Sequence, residues 1–264
     1  MKKALILILT LTLGASYSFA QDENELKNFR FGLVASPSLN WYKPEDAKKL
    51  ENGGIKPGFG WGLQMEFRLN KVASLATGLQ VQYDRGNMNF VDTANFLFAT
   101  QDEAYLAIED TAGKTRVAYK LDNRIYKTNY VTLPLYLKMK TNEIGMMTYF
   151  GEFGLNSSFR LKSKTTDEVT QYSLNNPKST LTDMDNTKDM NLFRFSLHIG
   201  GGAEYNLSGT TSLVFGAAFN YGFSNVFQKE SEYLGSSQIT SSTWTPFKQQ
   251  GTANNIALTV GILF

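Results

Sequence analysis

Apolar and polar residues alternate one by one along most of this chain, in segments separated by polar stretches. The clearest segment runs from Gly58 to Arg68. Phe59, Trp61, Leu63, Met65 and Phe67 occupy its odd positions, and Gly58, Gly60, Gly62, Gln64, Glu66 and Arg68 its even ones. A period of two sends these sets to opposite faces of a β-strand, because successive side chains of an extended backbone point in opposite directions. Seven further segments repeat the pattern. Strand one carries Phe29, Phe31, Leu33 and Ala35 on its apolar face, and strand three Leu75, Leu79, Val81 and Tyr83. Strand four sets Val131, Leu133, Leu135, Leu137 and Met139 against Tyr130, Thr132, Tyr136, Lys138 and Lys140. Strand five sets Tyr149, Phe153, Leu155 and Phe159 against Glu152, Asn156 and Arg160, and strand six sets Phe195, Leu197, Ile199, Ala203 and Tyr205 against Arg194, Ser196, His198 and Glu204. Strand seven presents Leu213, Phe215, Ala217, Phe219, Tyr221 and Phe223, and strand eight Ile256, Leu258, Val260, Ile262 and Phe264.

The connections alternate as well. Short turns fall near Asn70, from Asn142 to Gly145 and at Ser208 and Gly209, whereas the other four connections are long, polar and irregular. This rhythm predicts an all-β fold, an eight-stranded antiparallel up-and-down barrel with tight turns at one end and four long loops at the other. A soluble lipocalin-like barrel also has eight strands, but its apolar face lines the lumen. Here the apolar face is continuous and rich in aromatic residues, while the opposite face mixes glycine with charge. Glycines beside Arg, Glu and Gln suit the narrow interior of a transmembrane barrel, which leaves the apolar face to lipid.

The first residues sharpen that choice. Lys2 and Lys3, an apolar run from Ala4 to Leu13, and Ser18-Phe19-Ala20 form the three parts of a cleavable secretory signal, with cleavage between Ala20 and Gln21. The apolar run is too short to cross a bilayer as a helix, which needs roughly 20 residues. The expected organisation is a signal peptide over 1–20, a short periplasmic tail over 21–28 and a barrel domain over 29–264. In the outer membrane of a Gram-negative bacterium the short turns would be periplasmic and the long loops extracellular. The even strand count would place both termini in the periplasm.

Charge and rare residues remove several function classes. The chain has 26 basic and 24 acidic residues; without Lys2 and Lys3 the basic count is 26 − 2 = 24, so the mature chain is formally neutral. That balance offers nothing to nucleic acid. With no cysteine, disulfides, thiolate chemistry and Cys-ligated metals are excluded, and with a single histidine, His198, no imidazole-rich metal site is expected. No cofactor is indicated.

The C-terminal strand, with Leu258, Val260 and Ile262 alternating toward Phe264, resembles the signal read by the outer-membrane barrel-assembly machinery. More narrowly, Phe31-Gly32-Leu33, Leu133-Pro134-Leu135, Gly200 with Gly202, Glu204 and Tyr205, and Asn220-Tyr221-Gly222 resemble the PorT-like outer-membrane β-barrel family of Bacteroidota. The motifs are short and spread over the whole barrel. The resemblance implies an outer-membrane location and a link to the export of surface proteins; it implies no catalytic residue. Pro134 lacks a ladder donor, which suggests a bulge or break in strand four.

Three constellations carry candidate chemistry. Ser196, His198 and Glu204 share one face of strand six and can be written as a hydrolytic set, but a packed lumen admits no acyl chain, and a hydrogen-bonded interior histidine is the stronger reading. Arg30, Glu66, Arg68, Lys138, Glu152, Arg194, His198 and Glu204 all fall on inward faces and read as an interior charge network. Asp183, Asp185, Asn186 and Asp189 are spaced closely enough to ligate calcium, yet they lack the loop glycine and terminal Glu of such sites, and a solvated loop is the default. The second long loop, from Arg85 to Arg124, carries Phe96, Phe98 and Tyr105, aromatics that spanning a membrane does not explain; they mark a candidate surface for a protein partner. The combined expectation is a non-enzymatic outer-membrane barrel with a packed polar lumen, serving as an accessory, scaffold or surface-binding platform. A narrow channel is the alternative, ahead of an outer-membrane enzyme or a soluble lipocalin-like binder.

Overall fold

In the computed structural model, which describes residues 28–91, 97–99, 104–105, 119–171, 178–209, 211–237 and 244–264, eight long strands close into a ring. They are β1 (Phe29–Pro44), β2 (Lys56–Arg68), β3 (Ala73–Phe90), β4 (Tyr119–Lys140), β5 (Met147–Gln171), β6 (Phe193–Ser208), β7 (Thr211–Gly222) and β8 (Gly251–Leu263). Each pairs antiparallel with its neighbours in sequence, and β8 returns to β1. The closing seam runs from Gly32 opposite Leu263 to Pro44 opposite Gly251. Beyond the last paired residues, the Phe264 N–H donates to the Phe31 carbonyl at 2.8 Å.

Three short turns stand at one end. Asn70 closes the first by accepting the backbone N–H groups of Val72 and Ala73 at 2.9 and 2.8 Å. Gly145 and Gly209 take positive φ, 68° and 56°, in the others, a conformation that glycine adopts without a Cβ clash. The long connections all lie at the opposite end.

The predicted lipid face is the outer face. Phe31, Leu33, Trp61, Leu135, Phe153, Ile199 and Leu258 are among its exposed side chains. Aromatic residues gather at both margins: Phe29 against Phe67 and Phe31 against Phe264 near the turns, with ring centroids 5.0 and 5.9 Å apart, and Phe159 against Phe193 at 5.6 Å near the loops. On β1 the outward positions from Phe29 to Trp41, at about 3.3 Å per residue and a strand tilt near 40°, give a belt about 30 Å tall, the thickness of a bilayer core.

The strands are longer than the alternation predicts. β4 has 22 residues and β5 has 25, about twice what a transmembrane strand needs. Past the apolar belt the polarity of the wall reverses. Met88, Phe90, Leu121, Tyr126 and Val169 now point inward and are buried, while Arg85 and Lys127 face out. A search for apolar-out strands stops where this inversion begins. Two register shifts add to the effect, one opposite Asn129 and Tyr130 at Leu161, the other between Leu121 and Asn123. The first moves the inward set of β5 from even positions such as Ser158 to odd ones such as Ser163.

Other boundaries change too. The second long connection does not run from Arg85 to Arg124, because Asn89 still pairs with Asn123; it begins at Val91. Pro134 makes no bulge, since the β4–β5 register passes through it opposite Asn156, but the β3–β4 ladder is interrupted there, between the Thr77–Leu135 and Gln80–Thr132 pairs. On its β3 side Thr77 donates its hydroxyl to the Pro134 carbonyl at 2.8 Å. Phe223 lies just beyond β7.

At the loop end the ring is capped. Segments Glu230–Ser237 and Trp244–Lys248, from the last long connection, and Leu97–Ala99 and Ala104–Tyr105, from the second, form a separate four-stranded sheet. Beneath it Tyr42, Tyr126 and Phe227 meet with ring centroids 5.2 to 5.4 Å apart, and Met190 and Leu234 complete a fully buried apolar plug.

Deleting Phe264 removes one half-exposed ring, at a cost of roughly 2 kcal/mol of burial, and leaves the seam from Gly32 to Pro44 intact. The refolded variant is therefore expected to keep the faster migration of an unheated barrel on a detergent gel. Loss of that difference would show that closure depends on the terminal residue.

Candidate functional site

The interior is built in three levels, each set by which inward positions meet at the same height. Near the turns Lys138 of β4 is fully buried. Its Nζ bonds Glu66 of β2, lies 2.7 Å from Glu204 of β6 and 3.6 Å from Glu152 of β5, and stands 4.0 Å over the Phe150 ring. Arg30 of β1 reaches Glu204 at 2.7 Å and Glu66 at 3.7 Å. Lys140 contacts Glu66 at 2.6 Å and Glu204 at 2.8 Å. Three cations thus face three carboxylates contributed by five strands. Full compensation is what lets such charges remain out of water.

At mid-height His198 stacks on Tyr136, centroids 3.8 Å apart and planes 13° from parallel. Both pair in register with Gly154, which lies between them on β5. A Cβ at Gly154 would fall 2.1 Å from the Leu135 carbonyl oxygen, so glycine permits the close approach. His198 Nδ1 is 2.8 Å from Asn220 Oδ1, and its Nε2 is 3.5 Å from Glu152. Asn220 continues to Asn156 and Asn255. A cavity of about 50 Å³ opens among Gln64, Tyr136, Phe150, Glu152, His198 and Asn220, room for a few waters and no organic substrate.

Toward the loops Arg194 pairs with Asp84 at 2.6 Å and lies 4.1 Å over the Tyr130 ring. Above it Arg124 grips Asp167 with two bonds, Nε to Oδ1 at 2.8 Å and Nη2 to Oδ2 at 2.7 Å. Burial acts to lower the Arg124 pKa, but the Asp167 charge and these bonds more than offset it and hold it above its ordinary value. Asp189, at the end of the short helix Thr187–Asp189, enters this level from the third long connection. Its side chain accepts the Ser231 hydroxyl, and its carbonyl accepts Gln228 N–H at 2.8 Å. Asn191 donates to the Asn225 and Phe227 carbonyls, both at 2.8 Å.

Of the eight residues expected in the interior network, the structure brings Arg30, Glu66, Lys138, Glu152, His198 and Glu204 together. Arg194 belongs to the separate Asp84 pair, and Arg68 stands at the turn-end margin of the cluster, outside its ion pairs. Lys140 and Asp84 are the partners that sequence reasoning left out. Lys140 was visible on the inward face of strand four, whereas Asp84 follows Tyr83, where the apolar pattern of strand three ends. Above the membrane belt the interior mixes the apolar plug with buried polar side chains such as Arg124, Thr165, Asp167 and Asp189. Ser196, His198 and Glu204 form no relay, since His198 Nδ1 is engaged by Asn220 while Glu204 is held by cations. The calcium candidates separate: Asp183 lies 3.7 Å from Lys164, Asp185 accepts the Thr187 N–H at 2.8 Å, Asn186 is buried, and Asp189 joins Ser231.

Leu258, Val260 and Phe264 line the outer face of the last strand, with Ile262 partly covered beside them. Phe98 and Tyr105 pair with each other in the cap sheet, and Leu234 pairs with Phe98. Phe96, Ala20 and Gln21 lie outside the described residues.

The sequence profile of the outer membrane protein beta-barrel domain matches residues 19–228. No curated protein matches the chain. Among solved structures the chain is similar to Ail, the attachment invasion locus protein of Yersinia pestis, at 10% identity and a TM-score of 0.36, over 90% of this chain and 100% of that one. It is similar to Neisserial surface protein A at 10% identity and a TM-score of 0.37, over 90% and 96%. It is also similar to the outer membrane protein OprG from Pseudomonas aeruginosa at 8% identity and a TM-score of 0.36, over 90% and 95%.

Replacing Lys138 with methionine keeps the side-chain length but leaves Glu66 and Glu204 short of a cation. A loss of about 3–5 kcal/mol is expected, read as a lowered urea midpoint in detergent. Lys140→Met, nearer the rim, should cost less. Equal effects would mean that water reaches the whole cluster.

Proposed function

The chain belongs to the outer membrane protein β-barrel domain family, and on that premise we propose that it works as a closed barrel, a scaffold or binding platform that acts through its loop-end cap and neither catalyses a reaction nor conducts solutes. The observation that supports this reading is the filling of the lumen at successive heights: the Lys138 cluster, the Tyr136–His198 stack, the Arg194–Asp84 and Arg124–Asp167 pairs, and the plug around Phe227. The cavity beside the Tyr136–His198 stack, about 50 Å³, is of water size. In an outer membrane the short turns and both termini would face the periplasm once the signal is removed between Ala20 and Gln21, and the cap would face outside. The PorT-like motifs favour a role as an accessory to surface-protein export, with the partner meeting the segment of the second long connection that carries Phe96, Phe98 and Tyr105.

Purified protein in planar bilayers is expected to give no stable conductance steps. Reproducible steps would replace this reading with a narrow channel. Exchanging residues 92–118 for a short Gly-Asn turn should leave a heat-modifiable barrel that no longer retains its protein partner. Recovery of the same partner with and without the segment would remove those three aromatics from the assignment. If Leu258, Val260, Ile262 and Phe264 act as the assembly signal, the Phe264 deletion that refolds in detergent should lose outer-membrane abundance in cells.

A further inference from the structure

Just above the apolar belt, at the loop end, three cations stand side by side on adjacent strands. Arg85 of β3 is the direct cross-strand partner of Lys127 of β4, and Lys127 that of Lys164 of β5. Lys162, opposite Asn129, lies one outward position closer to the belt. All four alternate with inward residues: Asp84 and Gly86 flank Arg85, Tyr126 and Thr128 flank Lys127, and Ser163 separates the two β5 lysines, each of these five being buried. The outward positions below them are Tyr83 on β3, Asn129 and then Val131 on β4, and Leu161 and Phe159 on β5, which lead into the lipid-facing wall. Asp183, 3.7 Å from Lys164, and Asp185, the direct cross-strand partner of Lys164 in the segment Lys178–Asp185, are the acids at the β5 end of the row, which leaves Arg85, Lys127 and Lys162 facing none among the described residues. Among the described residues Arg85, Lys127 and Lys162 make no ion pair.

Like charges directly opposite one another on paired strands destabilise a sheet. A row three strands wide therefore calls for an external anion. With neighbouring strands about 4.8 Å apart, the row spans about 10 Å. Its height fixes the source of the anion, because the last apolar residues and the first cations meet where acyl chains end and headgroups begin. We propose that Arg85, Lys127, Lys162 and Lys164 form a binding site for the phosphorylated headgroup of a membrane lipid, with its acyl chains against Tyr83, Val131 and Leu161. The guanidinium of Arg85 can grip a phosphate with two donors, while the lysines act as point charges. The site rests on the reading of the chain as a membrane barrel whose loop end meets a bilayer surface.

The test uses the full mature barrel in detergent, titrated with bisphosphorylated lipid A and with the same lipid stripped of phosphate, bound lipid being counted by native mass spectrometry. The wild-type barrel should retain the phosphorylated form at least about tenfold more tightly, given roughly fivefold per surface cation, and the preference should shrink with added salt. Inorganic phosphate at the same concentration should not displace the lipid. The combined variant Arg85→Gln, Lys127→Gln, Lys162→Gln and Lys164→Gln should lose the preference while remaining heat-modifiable, since it removes repulsion rather than packing. Lys43→Gln, across the ring on β1, should keep it. Equal binding of the two lipids by the wild-type protein, or an undiminished preference in the combined variant, overturns the site. Displacement by inorganic phosphate would make it a site for free phosphate instead. A wild-type chain that shows no heat-dependent migration would refute the barrel reading itself, separately from the lipid site.

Discussion

Everything in this molecule follows from the need to leave no backbone N–H or C=O unpaired in hydrocarbon. An open sheet would present two unsatisfied edges to lipid, at several kcal/mol for each group. The chain meets the requirement by joining β8 to β1 along almost their whole lengths, from Leu263 opposite Gly32 to Gly251 opposite Pro44. Eight strands are few, and a ring so small has an interior only as wide as its own side chains. The inward positions must therefore fill the space and satisfy one another, and the outward positions are left to lipid.

The interior solves this with charge where a soluble core would use hydrocarbon. Lys138, Lys140 and Arg30 against Glu66, Glu204 and Glu152 tie five strands together at one height. Such a cluster adds less stability than its contacts suggest, because each ion surrenders its hydration. Its value is positional: a slip of one residue in any of these strands would turn a charge out to lipid and leave its partners uncompensated. Above the belt water lies outside the wall instead of lipid, and the chain reverts to the rule of soluble proteins, with Met88, Leu121, Tyr126 and Phe227 inside and Arg85, Lys127 and Lys164 outside. One continuous ring thus obeys two opposite burial rules along its axis.

That reversal decides what the sequence makes legible. The identity of the eight strands and the facing of Glu66, Lys138 and Glu204 can be read directly, because alternation reports face. Alternation does not report height, and for that reason Arg194 looked equivalent to Glu204 although the two serve different levels. The outer halves of β4 and β5 were unreadable for a different cause: past Tyr130 the inward positions mix Leu121, Tyr126 and Val169 with Arg124, Thr128, Ser163, Thr165 and Asp167, so polarity no longer marks the face, and the extra residue at Leu161 shifts the phase besides. The Arg124–Asp167 pair lies wholly within that stretch. The plug residues Met190, Phe227 and Leu234 sit in connections with no periodicity, and their burial emerges only when separate loops meet over one mouth.

The way those loops meet has a bearing on the order of events in biogenesis. Asp189 holds Ser231, Asn191 holds the backbone at Asn225 and Phe227, and Leu234 pairs with Phe98. Each of these ties joins segments tens to more than a hundred residues apart, carried on strands that become neighbours around the mouth through the ring itself. Contacts of such long range form late, after the intervening chain has been drawn together. The cap is accordingly a late feature of the fold: its ties join the third long connection to the fourth and the fourth to the second, so it takes its form once the strands that carry those connections stand around one mouth.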